Sequence, residues 1–466
     1  MVNLDLRYLA LIVAVAGGFA TGLGMKTASA ADLGGDCCAD LEERVAELEA
    51  TTVRKGNKKV SVTLTGWVAE QVVYWDDGVE QNTYITGLGT AFASNFHITG
   101  EAQISPGWKS GYTIWVEADG SDVYTTNQFN DNGVMAISGI RGLQVLKSFW
   151  FLESERLGKV SLGLNHPADD SAVVAIDESG TLVAAYWVAY DVFSFFVRGN
   201  FPGTDRGLPN GTSPSISMVW GNSVSCRGYG GGPGDCNGVP INVVRYDTPV
   251  WHGFQGVFSW GEDDNVAYAL YYKGVWNSIK FSAVATYSET TDFGQGAPPD
   301  GSLEYIQAAT YIQHIPSGLF FMGAWGNLDQ NGTLFSDGDR ADRLREVFPN
   351  VRFDKNPLHN PETNAYYAKA GIRLNPFAAL GHTVPYGEYL RGEDGALVRF
   401  DDGVNVTTRV VKGSEATFWG FGVVQEVDAA ALSMWLRYRQ HEVDLPGTHI
   451  NTDDIKTVVF GSFMAF

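Results

Sequence analysis

From Val60 to the C-terminus apolar residues recur at every second position, and the runs they form are joined by connections that alternate between tight and long. Val60, Val62 and Leu64 alternate with Ser61, Thr63 and Thr65, and Leu432, Met434, Leu436 and Tyr438 alternate with Ser433, Trp435, Arg437 and Arg439. A period of two belongs to a strand with one apolar face. Sixteen such runs are expected, over 60–74, 90–104, 110–118, 144–154, 158–165, 241–247, 253–260, 264–273, 276–288, 302–313, 318–327, 363–375, 381–391, 414–427, 430–442 and 455–466. The connections after even runs are short: SPGWK, RLG, DTPVWHG, KGVW, IPSG, NPFAALG and DAA. Those after odd runs are mostly long, including 119–143, 166–240, 328–362 and 392–413, with GED at 261–263 the short exception. A sandwich or propeller in water has no reason to sort its connections this way, whereas a barrel crossing a membrane keeps turns at one end and loops at the other.

Backbone chemistry explains why such a chain closes. Hydrocarbon offers no partner for an exposed N–H or C=O, so strands in lipid must form a ring without edges. Tilted strands of about 9–11 residues span the apolar layer. An even count returns both ends to one side, and sixteen strands enclose an aqueous lumen. The expected fold is therefore an all-β, 16-stranded antiparallel transmembrane barrel, with the apolar set facing out and the polar set, Arg437 and Arg439 included, facing in. Tyr74, Tyr268, Tyr272, Tyr287 and Trp419 are candidates for the outward aromatic girdles. Val458, Phe460, Met464 and Phe466 share one face of the last run, interrupted by Ser462, and Phe466 is the terminal residue. This run resembles the C-terminal strand by which the barrel assembly machinery recognises outer-membrane barrels.

Charge and composition narrow the function classes. The formal net charge of −21 repels a phosphate backbone, which disfavours nucleic-acid binding. A hydrophobic content of 44 % with 13 % aromatics disfavours disorder. No chemistry-bearing motif stands out. Residues 228–234, GYGGGPG, match neither the dinucleotide nor the phosphate-loop spacing, and G-x-S-x-G is absent. No metal site and no cofactor are expected. His97, beside Glu101 on an inward face, reads as a wall residue. Much of the acid lies in long connections, in Asp76-Asp77, Glu262-Asp263-Asp264 and Asp401-Asp402. It reads as a solvated face that could also hold divalent cations against lipid phosphates.

The N-terminal segment is organised differently. Arg7, the apolar run 8–25 and Ala28-Ser29-Ala30 read as an export signal over 1–30, a single membrane anchor being the alternative. Export permits disulfides, and Cys226 and Cys236 bracket a glycine-rich segment that can bring them together. In 36–52, Cys38, Leu41, Val45, Leu48 and Thr52 step by three and four, the spacing of a coiled-coil seam. Two heptads are too short to stand alone, so a coil there implies an oligomer held by something larger. A single amphipathic helix is the plainer reading of the same stretch. The domain division is then 1–30, 31–59 and 60–466.

The segments Asp36 to Val68, VVRYDTP (243–249), WGEDD (260–264), VVQEVDAAALSMWLRYR (423–439) and the terminal Phe466 resemble the general porins of alphaproteobacteria, the rhizobial type. The resemblance covers essentially all of the chain after the leader. It implies a homotrimeric outer-membrane channel, set in lipid and lipopolysaccharide, whose third loop folds inward and narrows the barrel. It also implies a periplasmic N-terminus that can be tied to peptidoglycan through Ala31 of an Ala-Asp start. The constricting loop would be 166–240, with Asp169, Asp170, Asp177 and Glu178 near its start and a run of aromatics after them. Facing them, Arg245, Lys369, Arg373, Arg437 and Arg439 are the inward basic candidates. Acid on the loop opposite base on the wall would set a transverse field, and neutralising Arg437 and Arg439 would shift selectivity toward cations. The competing readings are a plugged outer-membrane barrel with a structural or adhesive role, an outer-membrane barrel enzyme, and a secreted β-protein that binds polysaccharide.

Overall fold

The computed structural model describes residues 60–89, 92–119, 125–131, 142–186, 192–223, 240–291, 302–331, 362–377, 379–404 and 406–466. The expected leader, the coil with Cys38, Leu41, Val45 and Leu48, the attachment residue Ala31, and Cys226 and Cys236 all lie outside the described residues.

Sixteen wall strands close into an antiparallel ring. They are β1 (Ser61–Asp76), β2 (Asn95–Ser105), β3 (Trp108–Asp119), β4 (Gly142–Ser154), β5 (Gly158–Asn165), β6 (Ile241–Asp247), β7 (Phe254–Gly261) and β8 (Val266–Trp276). They continue with β9 (Ile279–Thr290), β10 (Ser302–His314), β11 (Leu319–Asn331), β12 (Thr363–Ile372, prolonged by Leu374–Phe377), β13 (Gly381–Glu393), β14 (Glu415–Val427), β15 (Leu432–Asp444) and β16 (Ile455–Ala465). Closure is made by β1, which pairs with β2 from Ser61↔Glu101 to Trp67↔Asn95 and with β16 from Trp67↔Ala465 to Asp76↔Lys456. At the seam Gly66 and Phe466 exchange both backbone hydrogen bonds, at 3.1 and 3.0 Å. No strand of the ring is left with an unpaired side, as lipid requires.

The outward face is the apolar one. On β8, Tyr268 and Leu270 are 46 % and 54 % exposed, whereas Ala267 and Ala269 are 0 % and 5 % exposed. Val68, Ile114, Trp150, Leu162, Phe321 and Phe421 are likewise exposed on other strands. A soluble barrel would bury this set in its centre. Of the girdle candidates, Tyr268 and Trp419 are exposed, but Tyr74 is 8 % exposed and donates its hydroxyl to Gln81 Oε1 at 2.6 Å.

Two boundaries differ from the sequence reading. KGVW at 273–276 reads as a tight connection, yet those residues finish β8 and the turn is Asn277-Ser278, with φ of 44° and 66°. Positive φ at both central residues is what a two-residue hairpin needs, and Asn tolerates it. The second wall strand begins at Asn95 rather than 90. Before it, a short strand, Gln81–Thr86, pairs back on the upper half of β1. The chain between them turns inward, where Leu88 is buried and Phe92 meets Tyr186 edge to face at 5.0 Å.

Candidate pore lumen

The inward face is divided, where the sequence suggested a uniform polar surface. From β9 round to β16 it carries large apolar residues, among them Phe320, Met322, Tyr367, Leu390, Phe418 and Trp435, all buried. They form one cluster with Ala172, Val173, Ile176, Ala184, Tyr186 and Phe195 of the connection after β5. A loop that folds inward needs an apolar wall to bury its own apolar side, and the charged residues of that arc, Lys369, Glu388, Arg437 and Arg439, are buried along with it. From β2 to β6 the inward positions include the charged residues Glu101, Lys109, Lys147, Lys159, Arg245 and Asp247, with Thr99, Thr113 and the rings of Trp115, Phe149 and Phe151 between them.

The loop is fixed to its arc by charge. Lys369 Nζ meets Asp177 Oδ2 and donates to Thr181 Oγ1 at 3.0 Å and to the Ala185 carbonyl at 2.8 Å. Arg373 donates from Nη1 to the Ser179 carbonyl at 2.8 Å and from Nη2 to Glu426 Oε2 at 2.9 Å. Between them Gly180 sits at φ +78°, where an added Cβ would lie 1.8 Å from Arg373 Nη1, so only glycine fits. Glu178 contacts Lys280 at 2.5 Å and Lys273 at 3.5 Å, and accepts from Ser282 at 2.9 Å. Burial alone would raise the Glu178 carboxyl, but hydrogen bonds from Lys280 and Ser282 and the charges of Lys280 and Lys273 hold it below the usual range.

Arg437 donates from Nη1 to the Ala184 carbonyl at 2.6 Å. Arg439 donates from Nε to Glu388 Oε1 at 2.9 Å and from Nη2 to Glu388 Oε2 at 3.0 Å, and is 1 % exposed. Asp177 and Glu178 thus touch the wall cations Lys369 and Lys280 directly, and Arg437 and Arg439 lie beneath the loop. Asp169 and Asp170 are brought instead toward Arg245. The Asp169 carbonyl accepts from Gln307 Nε2 at 2.6 Å, Asp170 Oδ2 meets His166 Nδ1, and Ser171 donates to Asp170 Oδ1 at 2.9 Å. Arg245 Nη2 lies 2.8 Å from Asp247 Oδ1, and its Nη1 donates to the His166 carbonyl at 3.2 Å. Burial pushes the Asp170 carboxyl up to about 7, against the Ser171 hydroxyl and the charges of Lys147 and Arg245. Burial, with the same two cations, holds the His166 imidazole well below its usual range.

Three features were missed from the sequence. Arg198 is buried and pairs with Asp77 at 2.7 Å, so Asp77 is not part of a solvated face. A lone arginine in the apolar stretch FFVRGNF was the available signal, since a buried guanidinium needs a carboxylate. Gln128 joins this contact, donating to Asp77 Oδ2 at 3.0 Å and to the Phe196 carbonyl at 2.8 Å. A small sheet of Ser215–Ser217, Leu397–Asp401 and Val406–Val410 ties the long loop to the one after β13.

No family model matches the chain, and no curated protein matches it in sequence. Among solved structures, a loop L8 deletion mutant of OmpT, an outer membrane protein of Vibrio cholerae, is 11 % identical over 88 % of this chain and 100 % of its own, with a TM-score of 0.49. The outer membrane channel DcaP of Acinetobacter baumannii is 9 % identical over 88 % and 99 %, with a TM-score of 0.48. Salmonella typhi OmpF in complex with daunomycin is 11 % identical over 89 % and 100 %, with a TM-score of 0.47. The assignment of a closed sixteen-stranded barrel rests on the strand registers themselves.

Proposed function

We propose that the chain is a porin: a passive, water-filled channel for ions and small hydrophilic solutes across a bacterial outer membrane. The observation that carries this reading is the divided lumen. An apolar exterior suits lipid, the loop packs on one arc, and the charged arc from β2 to β6 is the surface a hydrated passage would follow. Lys147 and Arg245 are then the charges at its narrow part, with Asp170 buried behind them, while Asp177, Glu178, Lys369, Arg373 and Arg437 hold the loop that makes it narrow and Arg439 is paired with Glu388 in the wall.

The finer elements of the proposal come from the sequence. The chain is an alphaproteobacterial porin exported by residues 1–30, and it assembles as a homotrimer with a periplasmic coil over 36–52. Phe466 is read by the assembly machinery, Ala31 offers a link to peptidoglycan, and Cys226 and Cys236 form a loop disulfide. One observation favours a second reading, a plugged barrel with a structural or adhesive role: the apolar cluster reaches from Phe320 on the wall to Phe195 and Phe400 in the loops. Purified protein added to a planar bilayer under a salt gradient decides between them. The porin reading expects ohmic current steps grouped in threes, and a bilayer that stays silent while the protein inserts would overturn it in favour of the plug.

A further inference from the structure

The charged arc of the lumen carries more aromatic surface than a hydrated wall needs. Trp67, His97 and Trp115 occupy inward positions on β1, β2 and β3 and contact one another. Ring centroids are 5.3 Å apart for Trp67–Trp115, 5.3 Å for Trp67–His97 and 3.8 Å for His97–Trp115. Phe149 and Phe151 follow inward on β4, opposite Thr113 and Gly111 of β3. Two cations of the arc are seated on these rings. Lys147 Nζ lies 4.3 Å from the Trp115 ring centre, and Lys159 Nζ lies 4.1 Å from that of Phe151 and 5.8 Å from that of Phe149.

The register sets out the order. Lys147 is opposite Trp115, Glu153 on β4 is opposite both Lys109 and Lys159, and Arg245 on β6 is opposite Ser161 of β5. Lys109, Lys159, Arg245 and Lys147 therefore form a series across β3 to β6 with aromatic rings set between them. Each cation is also near carboxylates. Lys109 contacts Glu101 and Glu153 at 3.2 and 3.4 Å, and Arg245 contacts Asp247 at 2.8 Å. Lys159 faces Glu153 and Asp247 across the register, and Lys147 lies within electrostatic reach of Asp170 and Glu117.

We infer that this strip is a weak subsite for planar aromatic carboxylates, the ring resting against Trp115 and Phe149 and the carboxylate exchanging between Lys147 and Arg245. The inference rests on the porin reading and names its preferred solute class. A carboxylate alone would find the cations but gain nothing from the rings, and a neutral sugar would find the rings but gain nothing from the cations. The neighbouring carboxylates compete for each cation, so binding is shallow and release fast, as conduction requires.

The test is open-channel current in symmetrical potassium chloride with millimolar sodium benzoate, sodium acetate or glucose added in turn. Benzoate is expected to lower the mean current in a saturable way at concentrations about tenfold below those at which acetate acts, with glucose inert. Trp115→Leu and Lys147→Gln channels should each need about tenfold more benzoate. Benzoate and acetate acting alike would reduce the strip to a plain anion field and overturn the inference, and a block by glucose would overturn it in favour of sugars. Conductance without added solute is scored separately, so failure of the channel and failure of the subsite are distinguishable.

Discussion

Replacing Lys369 with Met tests how the constricting loop is held. The Lys369 and Asp177 side chains are 0 % and 2 % exposed, so the carboxylate left behind has no access to water. Breaking one side of a buried pair costs about 3–5 kcal/mol, whereas replacing both partners is often neutral. Ser179 still donates to Asp177 from its backbone N–H at 3.0 Å and from its hydroxyl, which places the cost toward the lower end. At 1.4 kcal/mol per decade the ratio of seated to unseated loop falls by about two to three powers of ten. The ring of backbone hydrogen bonds is untouched, so the effect is confined to the loop. Hydrogen exchange in detergent reads it directly: amides of 177–186 should exchange at least a hundredfold faster in Lys369→Met, with β10 to β13 unchanged. Lys369→Met combined with Asp177→Asn should return the loop to within about tenfold of the original rate. A single variant with undisturbed loop exchange, or a double variant as exposed as the single one, would refute the argument that the pair is what seats the loop.

Three further outcomes follow from the geometry. Lys147→Gln should move the reversal potential in a potassium chloride gradient toward cation preference more than Arg439→Gln does, because Arg439 lies beneath the loop against Glu388 while Lys147 faces the passage; equal shifts would show that burial does not screen Arg439. Burial pushes the Asp170 carboxyl up to about 7, so ionising it without access to water should loosen the start of the loop as pH rises toward 7: amides of 168–172, corrected for the intrinsic pH dependence of exchange, should be less protected at pH 7.5 than at pH 5.5, and the difference should vanish in Asp170→Asn. In Gly461→Ala the new Cβ would fall 2.1 Å from Trp435 Cζ2; the folded, heat-modifiable band on a detergent gel should drop several-fold in yield, and normal yield would show that the Trp435 ring can move aside.

The barrel was legible because each wall strand repeats the same rule. Period-two alternation and the sorting of tight from long connections are local signals, and lipid outside the ring enforces them in every strand. The inward face was less legible because two environments share it. Arg437 and Lys369 occupy inward positions like Lys147 and Lys159, and nothing in the alternation tells that the first pair lies beneath a loop and the second does not. That distinction depends on where residues 166–223 come to rest, a contact between segments nearly two hundred residues apart for Lys369 and Asp177. The inward turn before β2 was hidden for a related reason: Leu88 and Phe92 look like strand residues until Tyr186 arrives from another loop. At Asn277-Ser278 the residues did carry the turn signal, directly after the KGVW run expected as the connection.

The central claim is that water runs along β2 to β6 and not along the arc beneath the loop. Single cysteines at Thr113 on β3 and at Phe418 on β14, each in a background with the four native cysteines replaced by serine, test it most directly. A charged, membrane-impermeant thiosulfonate reagent is added to conducting channels. The account predicts a stepwise fall in current for Thr113→Cys and no change for Phe418→Cys; modification of Phe418→Cys with Thr113→Cys left silent would contradict it.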